Sequence, residues 1–233
     1  NAFTAAALAL LFACMARSLR RAIADPPPWN RRAILALALV GLAFLALPPF
    51  LSDDVRDYLM RGRLLSVLGA NPYLHTADQF PADPYVAAGL PAWAHMPSPY
   101  GPLATEIQGL IALAAEPLRL AFGTRVSILS GILLLKALAW LCLLGTALAV
   151  AAAQRDTPHR ATAAALALAA SPFLLFEFAG MGHNDALMVL PATWAIVLAR
   201  RHRFAAAGAL LVLAAACKPP AVLLWPLLAG PAR

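Results

Sequence analysis

Charge is scarce in this 233-residue chain: Lys, Arg, Asp and Glu together make up 12% of it, while 62% is hydrophobic and the mean hydropathy is +0.74. A soluble domain carries ~25% charged residues, so an ordinary water-soluble fold is excluded and the excess apolar surface requires lipid. Cysteine is scarce as well. Cys14, Cys142 and Cys217 lie far apart, each in or beside an apolar stretch, so there is neither a disulfide framework nor a metal-ligand spacing, and they read as small apolar packers. His75 and His95 are too isolated to suggest metal ligands. No cofactor or metal is expected. The net charge of +7 and pI near 10.0 invite a nucleic-acid reading, but no soluble basic domain is present to bind one; basicity here reports membrane orientation.

What the chain does have is apolar runs, and a spanning helix needs roughly 20 such residues. By that measure residues 1–16 form a shortened span, and residues 33–51, 126–153, 161–178, 186–199 and 204–217 form further ones, with a last apolar piece ending at Leu228. Lys136, inside the 126–153 run, is expected to snorkel. Residues 17–32 carry Arg17, Arg20, Arg21, Arg31 and Arg32, and Pro26, Pro27 and Pro28 should stop a helix from running through. Residues 154–160 and 200–203 are the other arginine-bearing connections. Residues 52–102, rich in Pro, Tyr, His and Asp, are far too polar to cross.

Residues 103–122 are ambiguous, because Thr105, Glu106, Gln108, Glu116, Pro117 and Arg119 interrupt the pattern. They read as a span, a re-entrant piece or an interfacial helix. If they do not cross, all three arginine-bearing connections fall on the cytoplasmic side, and the 52–102 loop, the polar break 180–185 and Lys218 fall together on the other. We adopt that topology. The expected fold is an all-α integral membrane protein, a multispanning helical bundle in one transmembrane domain over residues 1–233. Residues 52–102 form an exoplasmic loop with short interfacial helices, and residues 103–233 supply further transmembrane helices. Asn1 sits inside an apolar run and Arg233 just after another, as expected of a fragment of a longer membrane protein.

With the arginines assigned, the acids become informative. Of 11 in the chain, Asp53, Asp54, Asp57, Asp78, Asp83 and Glu106 lie in or at the edge of that loop. The densest run is Ser52-Asp53-Asp54-Val55-Arg56-Asp57-Tyr58, which reads structurally as a helix start with Ser52 as N-cap and acids in the first turn. Helical spacing pairs Asp57 with Arg61 and Asp53 with Arg56. Asp54 lies on the face of Tyr58 and Arg61 near the end of a span, available as a general base. A second group, Gly180-Met181-Gly182-His183-Asn184-Asp185, reads as a turn and cap, or as three hydrogen-bonding side chains suited to sugar hydroxyls or a phosphate. Glu177, at membrane depth, needs a partner or a water-filled cavity. Lys218, before Pro219 and Pro220, snorkels or anchors a lipid phosphate.

These residues also carry a resemblance. The run 52–58, with Arg61-Gly62-Arg63, Gly69-Ala70-Asn71-Pro72-Tyr73 and Pro99-Tyr100-Gly101-Pro102, resembles the first exoplasmic loop of multispanning C-class glycosyltransferases that use polyprenyl-phosphate sugars. Ser171-Pro172-Phe173, Gly182-His183-Asn184-Asp185-Ala186-Leu187-Met188 and Lys218-Pro219-Pro220 are similar to bacterial α-mannosyltransferases that use polyprenyl-phosphate-mannose, including those elongating lipomannan. The resemblance implies a bundle of the C-class type in the bacterial inner membrane. It implies inverting transfer of a sugar, mannose by this likeness, from a polyprenyl-phosphate donor to a glycan or glycolipid acceptor at the exoplasmic face. Carried over, the base is Asp54 with Asp53 its nearest rival. Arg56, Arg61, Arg63 and Lys218 are candidates to neutralise the leaving phosphate, and Tyr58, His183, Asn184 and Asp185 to bind sugar or acceptor. The competing expectation is a transporter or lipid flippase with His183, Asp185 and Glu177 along a substrate path, although no inverted repeat is visible.

Overall fold

A computed structural model describes residues 2–25 and 31–228. Pro26, Pro27 and Pro28, expected to break the first connection, lie outside the described residues, as do Asn1 and Arg233. The described chain is helical, with no strand among the described residues. Its elements are α1 (Ala2–Ala24), α2 (Arg31–Ala46), α3 (Asp54–Ser66), a 3-10 turn (Ala77–Gln79), α4 (Pro84–Ala87), α5 (Pro102–Phe122) and α6 (Thr124–Ala153). There follow α7 (Pro158–Ala169), α8 (Pro172–Leu174) continuing into a π-helical segment (Leu175–Gly180), α9 (Asp185–Arg200), α10 (Phe204–Cys217) and a 3-10 stretch (Pro219–Leu228).

Two boundaries and one buried side chain differ from the sequence expectation. Arg17, Arg20 and Arg21 do not leave the first helix, which runs to Ala24, since arginine is a good helix former and no breaker precedes residue 26. The expected span 161–178 is instead broken after Ala169, and its two parts are bent by 41°. Pro172 cannot continue α7 but suits the first position of a new helix, and the Ser171 hydroxyl accepts the Leu174 N–H at 3.4 Å. Lys136 does not snorkel. It is buried and donates to the carbonyls of Leu45 and Leu47 at 2.7 and 2.5 Å, because Pro48 and Pro49 end α2 and leave its last carbonyls without helical donors.

The loop expected at residues 52–102 folds as a cap built on α3. The Ser52 hydroxyl accepts the Asp54 N–H at 3.2 Å, while Asp53, not Ser52, stands at the N-cap. Asp54 and Asp57 occupy the first turn and Arg63 the last, complementing the helix dipole at both ends. Val55, Tyr58, Leu59 and Leu64 bury against Tyr85, Ala112, Ile132 and Leu135. Gly62 makes the close crossing of α3 over α5 possible, since a Cβ there would run into the Gln108 carbonyl.

The rest packs through small residues. Ala192 and Ala195 of α9 meet Ala207, Leu211 and Ala214 of α10, the composition that lets helices approach closely in lipid. Among the described residues α6 is the one unbroken helix long and apolar enough to cross a membrane, and the bent α7–α8 pair passes the same test as one unit. At 30 residues α6 is about 45 Å long, against roughly 30 Å of hydrocarbon. Its first part lies along the cap: Ser127 bonds the Ala115 carbonyl of α5 and the Tyr85 hydroxyl, both at 2.6 Å, and Gly131 faces Leu59. Its far end meets the α9–α10 connection, where Arg201 donates to the Ala152 carbonyl at 2.7 Å. Arg155, Asp156, Arg200 and Arg201 line one cavity there. The arginine connections after α6 and α9 are thus neighbours at one end. Asp54, His183, Asp185 and Lys218 are neighbours at the other.

Candidate active site

Three segments converge on Asp54. The first is the start of α3 itself. The second is the cap stretch around Trp93, whose indole N–H donates to Asp54 Oδ1 at 3.2 Å. The third is the Gly180–Asp185 break, where His183 Nε2 lies 3.6 Å from Asp54 Oδ2. The other ring nitrogen of His183 pairs with Glu177 Oε2 at 2.7 Å. The Tyr58 hydroxyl points at Asp54 Oδ2 from one helical turn on, at 3.5 Å. Asp54, His183 and Glu177 are each 21–30% exposed, so the cluster is half-sheltered and remains open to a ligand.

Gly182 sets the register of the break. Its φ of +80° lies in the left-handed region, and a Cβ there would come within 2.9 Å of both Lys136 Cγ and Val55 Cγ2. Val55 is the neighbour of Asp54, so the absence of a side chain at 182 lets His183 reach the carboxylate. The Lys136 ammonium, held by the Leu45 and Leu47 carbonyls, braces the same corner.

Beside Asp54 opens a cleft of ≈ 300 Å³ lined by Asp57, Arg61, Trp93, Met96, Pro97, Pro99 and Tyr100 as well. Arg61 is buried, paired with Asp57 and donating to the carbonyls of Met96 at 2.9 Å and Trp93 at 3.3 Å. Burial raises the Asp57 carboxyl above its ordinary range although Arg61 pulls it down. Burial likewise raises the Tyr58 phenol and pushes that of Tyr100 up to about 12, so both rings stay neutral hydrogen-bonding groups at physiological pH. Tyr58 and Tyr100 meet edge to face at 5.2 Å, and the Lys218 ammonium sits 5.5 Å from the Tyr100 ring centre. Lys218 also bonds Asp185 Oδ1 at 2.8 Å, and the Cys217 carbonyl just before it accepts the Gly101 N–H at 3.0 Å. That bond ties the end of α10 to the start of α5.

The structure therefore brings Asp54, Tyr58, His183, Asp185, Lys218 and Arg61 into one neighbourhood. Asn184 is buried at the N-cap of α9, its backbone reaching the Tyr58 hydroxyl and its amide atoms without a partner in the described structure. Asp53 is turned to the cap, accepting from Arg56 and from the Ala92 N–H, both at 3.3 Å. Arg56 also donates to the Gly89 carbonyl at 2.9 Å. Arg63, expected among the phosphate-neutralising cations, is buried and spent on Asp83 at 2.8 Å and on Glu116. Its guanidinium stacks on Tyr85 at 4.3 Å. Trp93 and the pairing of Glu177 with His183 escaped sequence reasoning; the signals were an indole in a polar loop and an acid three residues before a glycine-bounded break.

The described helices gather a carboxylate, an imidazole and an ammonium group beside a cleft, and the chain's relatives are glycosyltransferases. The family model "Alpha-(1->6)-mannopyranosyltransferase, N-terminal domain" matches residues 1–231. The chain is 30% identical over 199 residues to alpha-(1->6)-mannopyranosyltransferase A of Corynebacterium glutamicum, a match covering 84% of this chain and 37% of that protein. The chain belongs to the alpha-(1->6)-mannopyranosyltransferase family, and it spans well under half the length of the curated relative it matches. No solved structure matches it significantly.

Proposed function

We propose that this chain carries the catalytic end of a membrane mannosyltransferase that moves mannose from a polyprenyl-phosphate donor to a glycan or glycolipid acceptor, with inversion and with Asp54 as base. The observation that carries the reading is the placement of Asp54. Its carboxylate stands at the edge of a ≈ 300 Å³ cleft, held by Trp93 and facing His183, while neighbouring acids Asp53 and Asp57 are engaged by arginines. In the reaction, Asp54 takes the proton of the acceptor hydroxyl as that oxygen bonds the anomeric carbon. The bond from that carbon to the lipid phosphate oxygen breaks on the opposite face, and the phosphate keeps the electron pair. A phosphate leaves readily once its charge is matched, so it needs a cation more than a proton. Lys218 suits that role, because its ammonium can exchange Asp185 for the donor phosphate. Arg61 contributes its charge from the cleft wall, and Tyr58, His183, Asn184 and Asp185 lie where sugar or acceptor would dock.

The membrane arrangement follows the same geometry. α6 exceeds the hydrocarbon thickness by the length that lies along the cap, and the arginines clustered after α6 and α9 support assigning the opposite end to the cytoplasm by the positive-inside rule. In this reading α5, residues 102–122, stays on the exoplasmic side, and the active site faces outward in a bacterial plasma membrane. The test uses the full-length enzyme, radiolabelled polyprenyl-phosphate-mannose and a synthetic octyl α-(1→6)-dimannoside acceptor. Asp54→Asn should lose transfer while Asp53→Asn retains most of it; the reverse ranking would move the base to Asp53.

A further inference from the structure

Glu177 stands where a continuous helix would not put it. The chain breaks after Ala169, restarts at Pro172 and widens into a π-helical segment over Leu175–Gly180; such widened turns recur at functional positions. Here the segment delivers the Glu177 carboxylate to His183 Nδ1 at 2.7 Å, and its backbone carbonyl accepts the His183 N–H at 3.1 Å. Glu177 therefore holds its histidine at two points. The opposite ring nitrogen is left facing Asp54 Oδ2 at 3.6 Å. A neutral imidazole that donates Nδ1–H to Glu177 presents a lone pair at Nε2.

We infer that Glu177 is a positioning residue that fixes His183 as the proton acceptor for Asp54, so that the base is reset after each transfer. The inference rests on the reading of Asp54 as base. The proton balance is simple. The acceptor's proton arrives on Asp54 Oδ2 as the new glycosidic bond forms and the bond to the phosphate oxygen breaks. The protonated Asp54 then gives that proton to Nε2 of His183, restoring the carboxylate and forming an imidazolium flanked by Asp54 and Glu177. Glu177 keeps its hold on Nδ1 throughout, and the imidazolium releases its proton to water at its partly exposed edge. The 3.6 Å gap closes as the proton passes, since catalytic hydrogen bonds tighten during turnover. The charged groups around His183 are Asp54 from α3, Glu177 from the π-helical segment, Lys136 from α6 with its ammonium held at the Leu45 and Leu47 carbonyls, and the Asp185–Lys218 pair. Tyr58, across Asp54, stays neutral.

The test is a set of kinetic measurements on the full-length enzyme with the same radiolabelled donor and dimannoside acceptor. Glu177→Gln keeps the size and a hydrogen-bond acceptor but removes the charge. It should lower kcat about tenfold or more with donor KM within about twofold. His183→Gln should lose at least as much, and adding Glu177→Gln to it should cost nothing further, since Glu177 acts through the ring. Glu177→Asp, which restores the charge, should recover part of the rate. A wild-type kcat in Glu177→Gln, or full multiplication of the two losses in the double variant, overturns the relay. Asp54→Asn is run beside them. If it transfers normally, the underlying base assignment fails; if it is inactive while Glu177→Gln behaves as wild type, only the relay fails.

Discussion

Two clusters of opposite charges lie on either side of α3, and they contrast in exposure and in role. On one side Arg63 is locked between Asp83 and Glu116, with Arg63 and Asp83 only 2% and 6% exposed, and Arg119 closing the group at 2.7 Å from Glu116. On the other, Asp54, His183 and Glu177 remain partly open beside a cleft, and Lys218 shares Asp185 with solvent. The residue types are nearly the same. Burial separates them: a dry, fully paired guanidinium fastens the cap to α5 and has no capacity left for a ligand, whereas half-solvated partners can exchange one another for a substrate. Net charge or loop location alone would have assigned both clusters to the phosphate.

Mutation can break that contrast from either side. The largest loss of stability is expected at the closed cluster. Arg63→Ala strands Asp83 in a dry site, and thermal melting in detergent should show a loss of about 3–5 kcal/mol, with transfer per folded molecule close to wild type. At the hinge between the two halves of the open cluster, Gly182→Ala forces a Cβ against Val55 and Lys136 at a φ that side chains avoid. It should cost about 1–3 kcal/mol of stability and a larger share of kcat, read from melting and transfer rates on one preparation. Lys218→Ala should be the mildest. Its surface pair with Asp185 contributes at most about 1 kcal/mol to folding, so melting should hardly move while the donor KM rises several-fold. A rise in KM for Arg63→Ala equal to that for Lys218→Ala would erase the distinction drawn from burial.

Legibility in the sequence followed the same divide between near and far. The pairs Asp53–Arg56 and Asp57–Arg61 could be read directly, because three- and four-residue spacing on a helix forces them together. The 204–217 helix was legible from its apolar run and flanking breakers, and residues 52–102 from their polarity. What sequence could not supply were partners separated by long stretches of chain. Arg63 finds Asp83 and Glu116 only once the cap folds back over α5, and Trp93 reaches Asp54 by the same folding. The break within 161–178 was hidden in an alanine-rich run whose hydropathy passes through it, although Ser171-Pro172 carries a helix-start signature. Lys136 looked like a snorkelling lysine because nothing local announces that two carbonyls at the end of α2, those of Leu45 and Leu47, will face it.

Asp54 is open for chemistry, while the acids beside it, Asp53 and Asp57, are held by arginines. The most direct test measures thermal melting and mannose transfer on a single preparation of full-length Asp54→Asn. The melting curve should match the wild type's, with transfer reduced by at least about 100-fold. A preparation that melts as wild type and still transfers mannose at the wild-type rate would contradict it.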